Sequence, residues 1–217
     1  WQASKKLYLF LDYDVGKMDE AQVLADAFDK GRSVVFEGAQ GALLDRERGF
    51  IPHVTQSKTT WHNAAELIRA TGYMGRQKRA ARYKVTKWGI MRPYAHRHGA
   101  GPLVTENNDF QQYFCDRYNP ENPWQGKFRV GILDLVALRY GIALNDGVNM
   151  LAITNLDQLS ELKTIPICTS YDVQGKERIW ELPMERDGKS LRELCAMSKP
   201  GEIIELPGWN KDISKAK

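Results

Sequence analysis

The feature that most constrains this chain is the run Ser33-Val-Val-Phe-Glu-Gly-Ala-Gln-Gly-Ala-Leu-Leu-Asp45. The β-branched and aromatic stretch Val34-Val35-Phe36 stops abruptly at Glu37. Gly38, Ala39, Gln40 and Gly41 follow, then Leu43-Leu44. The pattern predicts a buried strand ending in a tight turn of small residues. In open α/β sheets, ligands bind at strand ends. Gln40 puts a long amide on this turn. That amide can pair with a planar heterocycle through one donor and one acceptor, or it can cap backbone groups of the turn.

Other segments fill in the organisation. Lys6 to Asp12 reads as a buried strand or the end of a helix. Met18, Val23, Leu24, Ala27 and Phe28 follow helical spacing, with Asp19 and Glu20 early and Gly31 as the stop. A second helix carries Trp61, Ala64, Ala65, Leu67 and Ile68 and ends at Gly72. Ile90 to Arg97 is expected to be a strand leading into Gly99-Ala-Gly-Pro102. Asn107 to Trp124 is polar with aromatic insertions and two Asn-Pro pairs, the mark of a mobile loop. Leu133 to Leu144 has helical periodicity, and Asn149 to Thr154 reads as a buried strand. Ile165 to Val173 and Arg178 to Leu182 form an expected strand pair around Gly175, and Ser190 to Met197 a last helix. This order predicts an α/β fold with a mainly parallel sheet, helices on both faces and a small antiparallel hairpin. The whole chain, 1–217, is expected to form one nucleotide-binding domain.

Composition narrows the function classes. The chain has 217 residues, 42% hydrophobic and 27% charged, enough for one sizeable core in an ordinary soluble protein. No apolar run approaches bilayer-spanning length, so no membrane role is expected. Cys115, Cys168 and Cys195 stand far apart, which predicts reduced, packed thiols and a cytoplasmic setting. A net charge of +4 suits nucleotide ligands. The basic cluster Arg69, Arg76, Lys78, Arg79, Arg82, Lys84 and Lys87, with Tyr73, Tyr83 and Trp88, is the best nucleic-acid candidate. A solvated helix face explains it more simply, so nucleic acid is not the expected partner. His96 and His98 lack a metal-ligand pattern and read as structural or solvent-facing, and no metal ligand is expected in the chain.

Several short motifs follow the first in order. They are Pro52-His-Val-Thr-Gln-Ser-Lys-Thr-Thr60, Arg97-His-Gly-Ala-Gly-Pro-Leu-Val-Thr-Glu106, Arg129-Val-Gly-Ile-Leu-Asp134, Thr154-Asn-Leu-Asp157 and Leu206-Pro-Gly-Trp209. Together with Phe36-Glu-Gly-Ala-Gln-Gly41 they resemble, in register, the adenylosuccinate synthetase family. That family uses GTP, with Mg²⁺, to join aspartate to inosine monophosphate (IMP). The resemblance implies a P-loop-NTPase-like synthetase fold and a homodimer. It implies that Gln40 contacts IMP, that Thr55 meets the phosphate, and that Gly99 and Ala100 pass the ribose. It also implies that Asn155, Leu156 and Asp157 hold guanine. Without the resemblance, Asp157 reads equally well as a helix N-cap.

The departures from the family pattern carry their own expectations. No G-x-x-x-x-G-K loop occurs in the sequence. The chain therefore reads as a partial, C-terminal-half-like piece or a shortened homologue, inactive by itself and carrying no catalytic acid or base. Asn155 stands where the family has Lys, which weakens the preference for guanine. The family's aspartate loop is altered, leaving Lys127 and Arg129 as the nearby cations and Arg97 and Arg139 as further candidates. A ligase for another amino acid, or a non-catalytic purine-nucleotide-binding homologue, is the alternative reading.

Overall fold

A computed structural model describes residues 19–72, 84–114, 116, 121–185 and 187–213. The expectations for Lys6 to Asp12, for Cys115 and for most of the basic cluster lie outside the described residues. The chain divides into two compact units, Trp1–Gly38 with Trp61–Val85, and Ala39–Thr60 with Thr86–Lys217.

The first unit holds two helices. Helix α1, Glu20–Asp29, starts at Asp19, whose carboxylate accepts from the amides of Ala21 and Gln22. It closes with a paired turn: Gly31 N–H donates to Phe28 O, and Arg32 N–H to Ala27 O. Helix α2, His62–Ala70, packs against α1, with Ala27, Phe28 and Ala65 buried. Val34 to Phe36 is not a strand. Val35 is 78% exposed, and no described strand pairs with the segment. A β-branched run favours extended backbone, but a strand also needs a ladder to satisfy its amides.

The second unit is α/β. Its strands are β1 Trp88–Met91, β2 Ala95–His98, β3 Phe128–Gly131, β4 Leu133–Asp134, β5 Met150–Ile153, β6 Thr164–Cys168, β7 Tyr171–Val173, β8 Ser198–Pro200 and β9 Ile203–Pro207. Its helices are α3 Asn108–Gln111, α4 Leu135–Leu144 and α5 Gly188–Ala196. β1 and β5 pair in parallel, as do β4 and β6. β2–β3, β6–β9 and β7–β8 are antiparallel. The parallel part is thus smaller, among the described residues, than the periodicity suggested.

Three expected strands differ. Ile90 to Arg97 is broken after Met91, where Pro93 interrupts the ladder, so its halves join different sheets. The Asn149 to Thr154 strand forms as β5, but Met150, Leu151 and Ile153 are nearly half exposed. Continuous apolar runs arise where parallel strands are covered on both faces, and the described residues do not supply that cover. Arg178 to Leu182 contributes only the Tyr171–Ile179 bridge, beyond a turn at Gly175.

The core is built by helices whose apolar stripes face the sheets. Val136, Tyr140 and Leu144 recur every four residues on α4, and Leu191, Leu194 and Cys195 share a face of α5. Burying a side chain such as Leu191 contributes about 2 kcal/mol. Asp134 caps α4 through Ala137 N–H and accepts a hydrogen bond from the Tyr171 hydroxyl. Burial raises the Asp134 pKa and pushes the Cys168 and Cys195 thiols up to about 11 and about 12. Both cysteines are free and buried, so they are packing residues.

Candidate functional site

The first wall of the site is the segment from Gln40 to Thr59. Gln40 adopts a φ of +58° and is exposed. Its side chain makes no hydrogen bond among the described residues, so it does not cap the turn. A non-glycine residue held at positive φ is a strained element that surrounding structure must enforce. That structure centres on Asp45, which is 3% exposed. Its carboxylate accepts from the amides of Glu47, Arg48 and Thr59 at 2.9, 3.1 and 2.8 Å. Thr59 Oγ1 donates to Gly41 O, and Thr55 N–H donates to Leu44 O at 2.8 Å. These bonds lay the Thr55 loop along the Gln40 turn. The Thr55 hydroxyl has no partner among the described residues.

The second wall is the loop Gly99–Gly101, where β2 ends. Arg97 and Arg129 face each other in the β2–β3 register, so their side chains share one face. Arg129 holds Glu106 with Nε and Nη2, and its Nη1 donates to Gly99 O and Gly101 O at 2.8 Å each. Arg97 donates through Nε to Ala100 O at 2.7 Å and through Nη2 to His53 O. Its guanidinium also lies 5.8 Å from the centre of the Phe50 ring. All three loop carbonyls therefore end on an arginine.

Electrostatics follow from these partners. The hydrogen bond from Arg129 holds the Glu106 carboxyl below its usual range, and Glu106 raises Arg129 in return. Burial, then repulsion from Arg129, lowers Arg97 to about 10, so it remains a cation at neutral pH. The loop backbone is tight. Gly99 has a φ of +72°, and a Cβ there would fall 2.4 Å from Gln125 O. Gly101 has a φ of +112°, and a Cβ there would fall 2.6 Å from Arg97 Nη2. Only glycine fits either position.

The expected cations divide. Lys127 is exposed and meets the loop through its backbone, where its carbonyl accepts from Gly99 N–H. Its ammonium makes no hydrogen bond or ion pair among the described residues, and its charge helps Arg129 lower the Glu106 carboxyl pKa. Arg129 is engaged inside the protein. Arg139 donates to Thr169 O and Trp180 O, and no hydrogen bond joins it to the loop among the described residues. His98 is structural: Nδ1 lies 2.9 Å from Gln125 Nε2, and Nε2 lies 3.4 Å from Asp116 Oδ2.

The third part is the turn after β5. Thr154 N–H donates to Met91 O, which places the turn at the carboxyl ends of the parallel pair β1–β5. Asn155 has a φ of +60° and starts a 3-10 turn, Leu156–Leu159, without a side-chain cap. Leu156 is half-buried. Asp157 lies inside that turn, exposed; its carbonyl accepts from Ser160 N–H at 3.1 Å, and its carboxylate makes no hydrogen bond or ion pair among the described residues. The N-cap alternative for Asp157 is therefore not realised.

The fold thus joins Gln40, Thr55, Gly99 and Ala100 through Leu44, His53 and Arg97. Asp157 shares no bond with them among the described residues, although its neighbour Gln158 accepts from the Tyr94 hydroxyl just before β2. Sequence reasoning missed Asp45 and the inward role of Arg97. The signal for Asp45 was present, since an acid directly after an apolar pair and before a polar turn favours a side-chain-capped turn. Arg97 gave none, because neither of its acceptors is a side chain.

Short sheets packed with helices define an α/β protein, with the Gly99–Gly101 loop and the turn after β5 at strand ends, where such folds place their functional loops. The family model described as adenylosuccinate synthetase matches residues 12–217. The chain belongs to the adenylosuccinate synthetase family. It is 36% identical over 204 residues to the adenylosuccinate synthetase of Limosilactobacillus reuteri, covering 92% of this chain and 42% of that protein. It is 38% identical over 198 residues to that of Desulfosudis oleivorans, with 90% and 42% covered. The structure of a fully ligated adenylosuccinate synthetase from Plasmodium falciparum superposes with a TM-score of 0.72 at 26% identity, covering 100% of this chain and 49% of that one. The chain spans about two fifths of the length of the relatives it matches. No described helix is long and apolar enough to cross a membrane.

Proposed function

We propose that this chain supplies the nucleotide-gripping surface of an adenylosuccinate synthetase-type, GTP-dependent ligase that joins an amino acid to IMP. In this reading the Gln40 amide pairs with the edge of the purine. The Thr55 hydroxyl donates to the 5′-phosphate, and Gly99 and Ala100 pass close to the ribose. Asp157 accepts from the adjacent N–H groups of guanine, which adenine cannot offer in the same pattern. Asn155 and Leu156 shape the turn around the base. The observation that carries the reading is the placement of Gln40: strained, exposed and unbonded, on a turn pinned by a buried carboxylate.

The chemistry proposed is transfer of the GTP γ-phosphoryl group to the purine O6, followed by displacement of phosphate by the amine. Mg²⁺ neutralises phosphate charge when bound. The described residues contain no cluster of three metal-ligating side chains, and we assign none of them to it. Homodimeric assembly and a cytoplasmic setting, implied by the family, belong to the same proposal.

A second reading concerns the amino acid. Arg97 and Arg129 are both taken by protein acceptors, and Lys127 is the exposed cation beside the loop. Lys lacks the fork that Arg offers a carboxylate. This favours weak use of aspartate, or another amine. Binding calorimetry tests the main reading. Thr55→Val is expected to weaken IMP binding by about 1–3 kcal/mol, the scale of one buried hydrogen bond. Asp157→Ala is expected to abolish a preference for GTP over ATP. Wild-type affinity for both nucleotides in both variants would show that these residues are not ligands.

A further inference from the structure

Arg97 is a buried charge with no acidic partner among the described residues. It is 7% exposed, and no ion pair neutralises it in the described structure. A buried guanidinium without an acid is costly unless its donors are used well. Here one donor reaches Ala100 O, in the loop after β2, and another reaches His53 O, two residues before Thr55. Those acceptors lie 47 positions apart in sequence. The guanidinium lies 5.8 Å from the centre of the Phe50 ring and against Gly101, where a Cβ would fall 2.6 Å from its Nη2.

We propose that Arg97 is a positioning residue that locks the Thr55 loop and the Gly99–Gly101 loop into one unit, so that a nucleotide meets its phosphate and ribose contacts already at the right separation. The proposal rests on the reading of these two loops as the phosphate and ribose sides of the site. Arg129 has a different task. It fixes the Gly99–Gly101 loop to Glu106 and does not touch the Thr55 loop. The two arginines are adjacent in the ladder, yet one couples two loops and the other braces one. Lysine cannot replace Arg97, because a single ammonium lacks the rigid planar fork whose separate nitrogens, Nε and Nη2, reach the two acceptors at once.

This division gives a test that needs no ligand. Amide hydrogen exchange is measured on wild type, Arg97→Lys and Arg129→Lys. Thr55 N–H, bonded to Leu44 O, and Val54 N–H, bonded to Pro52 O, report on one loop. Gly99 N–H, bonded to Lys127 O, reports on the other. Arg97→Lys is expected to speed exchange at all three amides by about tenfold or more, the scale of one lost charge-assisted hydrogen bond. Arg129→Lys is expected to speed Gly99 and leave Val54 and Thr55 unchanged. Arg97→Gln, whose short amide cannot span both acceptors, is expected to reproduce the Arg97→Lys effect at Thr55, and it decides the matter if Arg97→Lys does not fold. Unchanged exchange at Val54 and Thr55 in the folded Arg97→Lys or Arg97→Gln variant would overturn the coupling.

A binding arm connects the coupling to nucleotide recognition. The wild-type chain is expected to prefer IMP over inosine, and Arg97→Lys to lose most of that preference, its affinity falling further for IMP than for inosine. A wild-type chain that binds neither compound would overturn the nucleotide reading of the loops, while the exchange data would still decide the coupling. A preference that persists in Arg97→Lys would overturn the positioning role.

Discussion

The Gln40–Gly41 turn and the Gly99–Gly101 loop are both small-residue segments carrying a family motif, and the protein holds them in opposite ways. Around Gln40 the backbone is tied through Gly41 O, which accepts from Leu44 N–H and from the hydroxyl of Thr59, itself held by Asp45, and the long polar side chain is left exposed without a partner among the described residues. Around Gly99 the polar side chains are themselves the fixture: Arg97 and Arg129 point inward and spend their donors on the loop's carbonyls. A charged residue inside a motif is therefore not thereby a ligand contact. The Gln40 amide, the Thr55 hydroxyl and the Asp157 carboxylate differ in having no protein partner among the described residues, which is why the proposed function gives the ligand contacts to them.

The largest expected effect falls on the inward arginines. Arg129→Ala leaves Glu106 and two loop carbonyls without their donor. It is expected to lower unfolding free energy by about 2–4 kcal/mol, as read by urea denaturation. A loss below the error of the melt, combined with a large loss of amino-acid binding, would return Arg129 to the role of a carboxylate anchor. Asp45→Ala comes next, because it strips three amides of one buried acceptor. The expected loss is about 2–3 kcal/mol, with weakened IMP binding as a consequence. Intact stability there would mean that the Gln40 turn is held by something other than this carboxylate.

How far the sequence could show this division depends on what each residue bonds to. Helices α1, α4 and α5 were legible because apolar spacing is a local signal, with Asp19 marking the start of α1; the caps Asp134 and Asp187 come from the structure. The α/β class followed from the order of those segments. The break at Pro93 was missed because the apolar residues on its two sides read as one run. Val34 to Phe36 failed because strand formation needs a partner that periodicity does not report. In the site, the positions of Gln40 and Asp157 came from motif resemblance, and the structure adds that both side chains are unbonded among the described residues. Arg97 and Arg129 were read as cations available to a carboxylate. Their acceptors are backbone oxygens of a loop that folds back on them, and residue identity carries no trace of that.

The smallest expected effect is on pH. The Glu106 carboxyl is held below its ordinary value of 4.5 by the Arg129 hydrogen bond. A carboxylate whose folded pKa is lowered contributes stability that is fully present above its unfolded value and is lost as pH falls through the folded one. Acidification below 4.5 is thus expected to loosen the Gly99–Gly101 loop. The pair is partly exposed, so solvent screening limits the effect to about 1 kcal/mol or less. In Glu106→Gln, the acid-dependent rise in Gly99 amide exchange should disappear. A rise equal to that of wild type would place the titrating group elsewhere.

The contrast between the unsatisfied amide and the satisfied arginines is tested most directly by thermal unfolding of Gln40→Ala with and without IMP. A ligand that binds only the folded protein raises its melting temperature in proportion to its binding free energy. The account predicts that Gln40→Ala melts with wild-type stability in the absence of nucleotide, since the side chain supports nothing, and that it loses most of the shift IMP gives to the wild-type chain. A variant that melts lower on its own, while keeping the full IMP shift, would contradict the account and make Gln40 part of the scaffold.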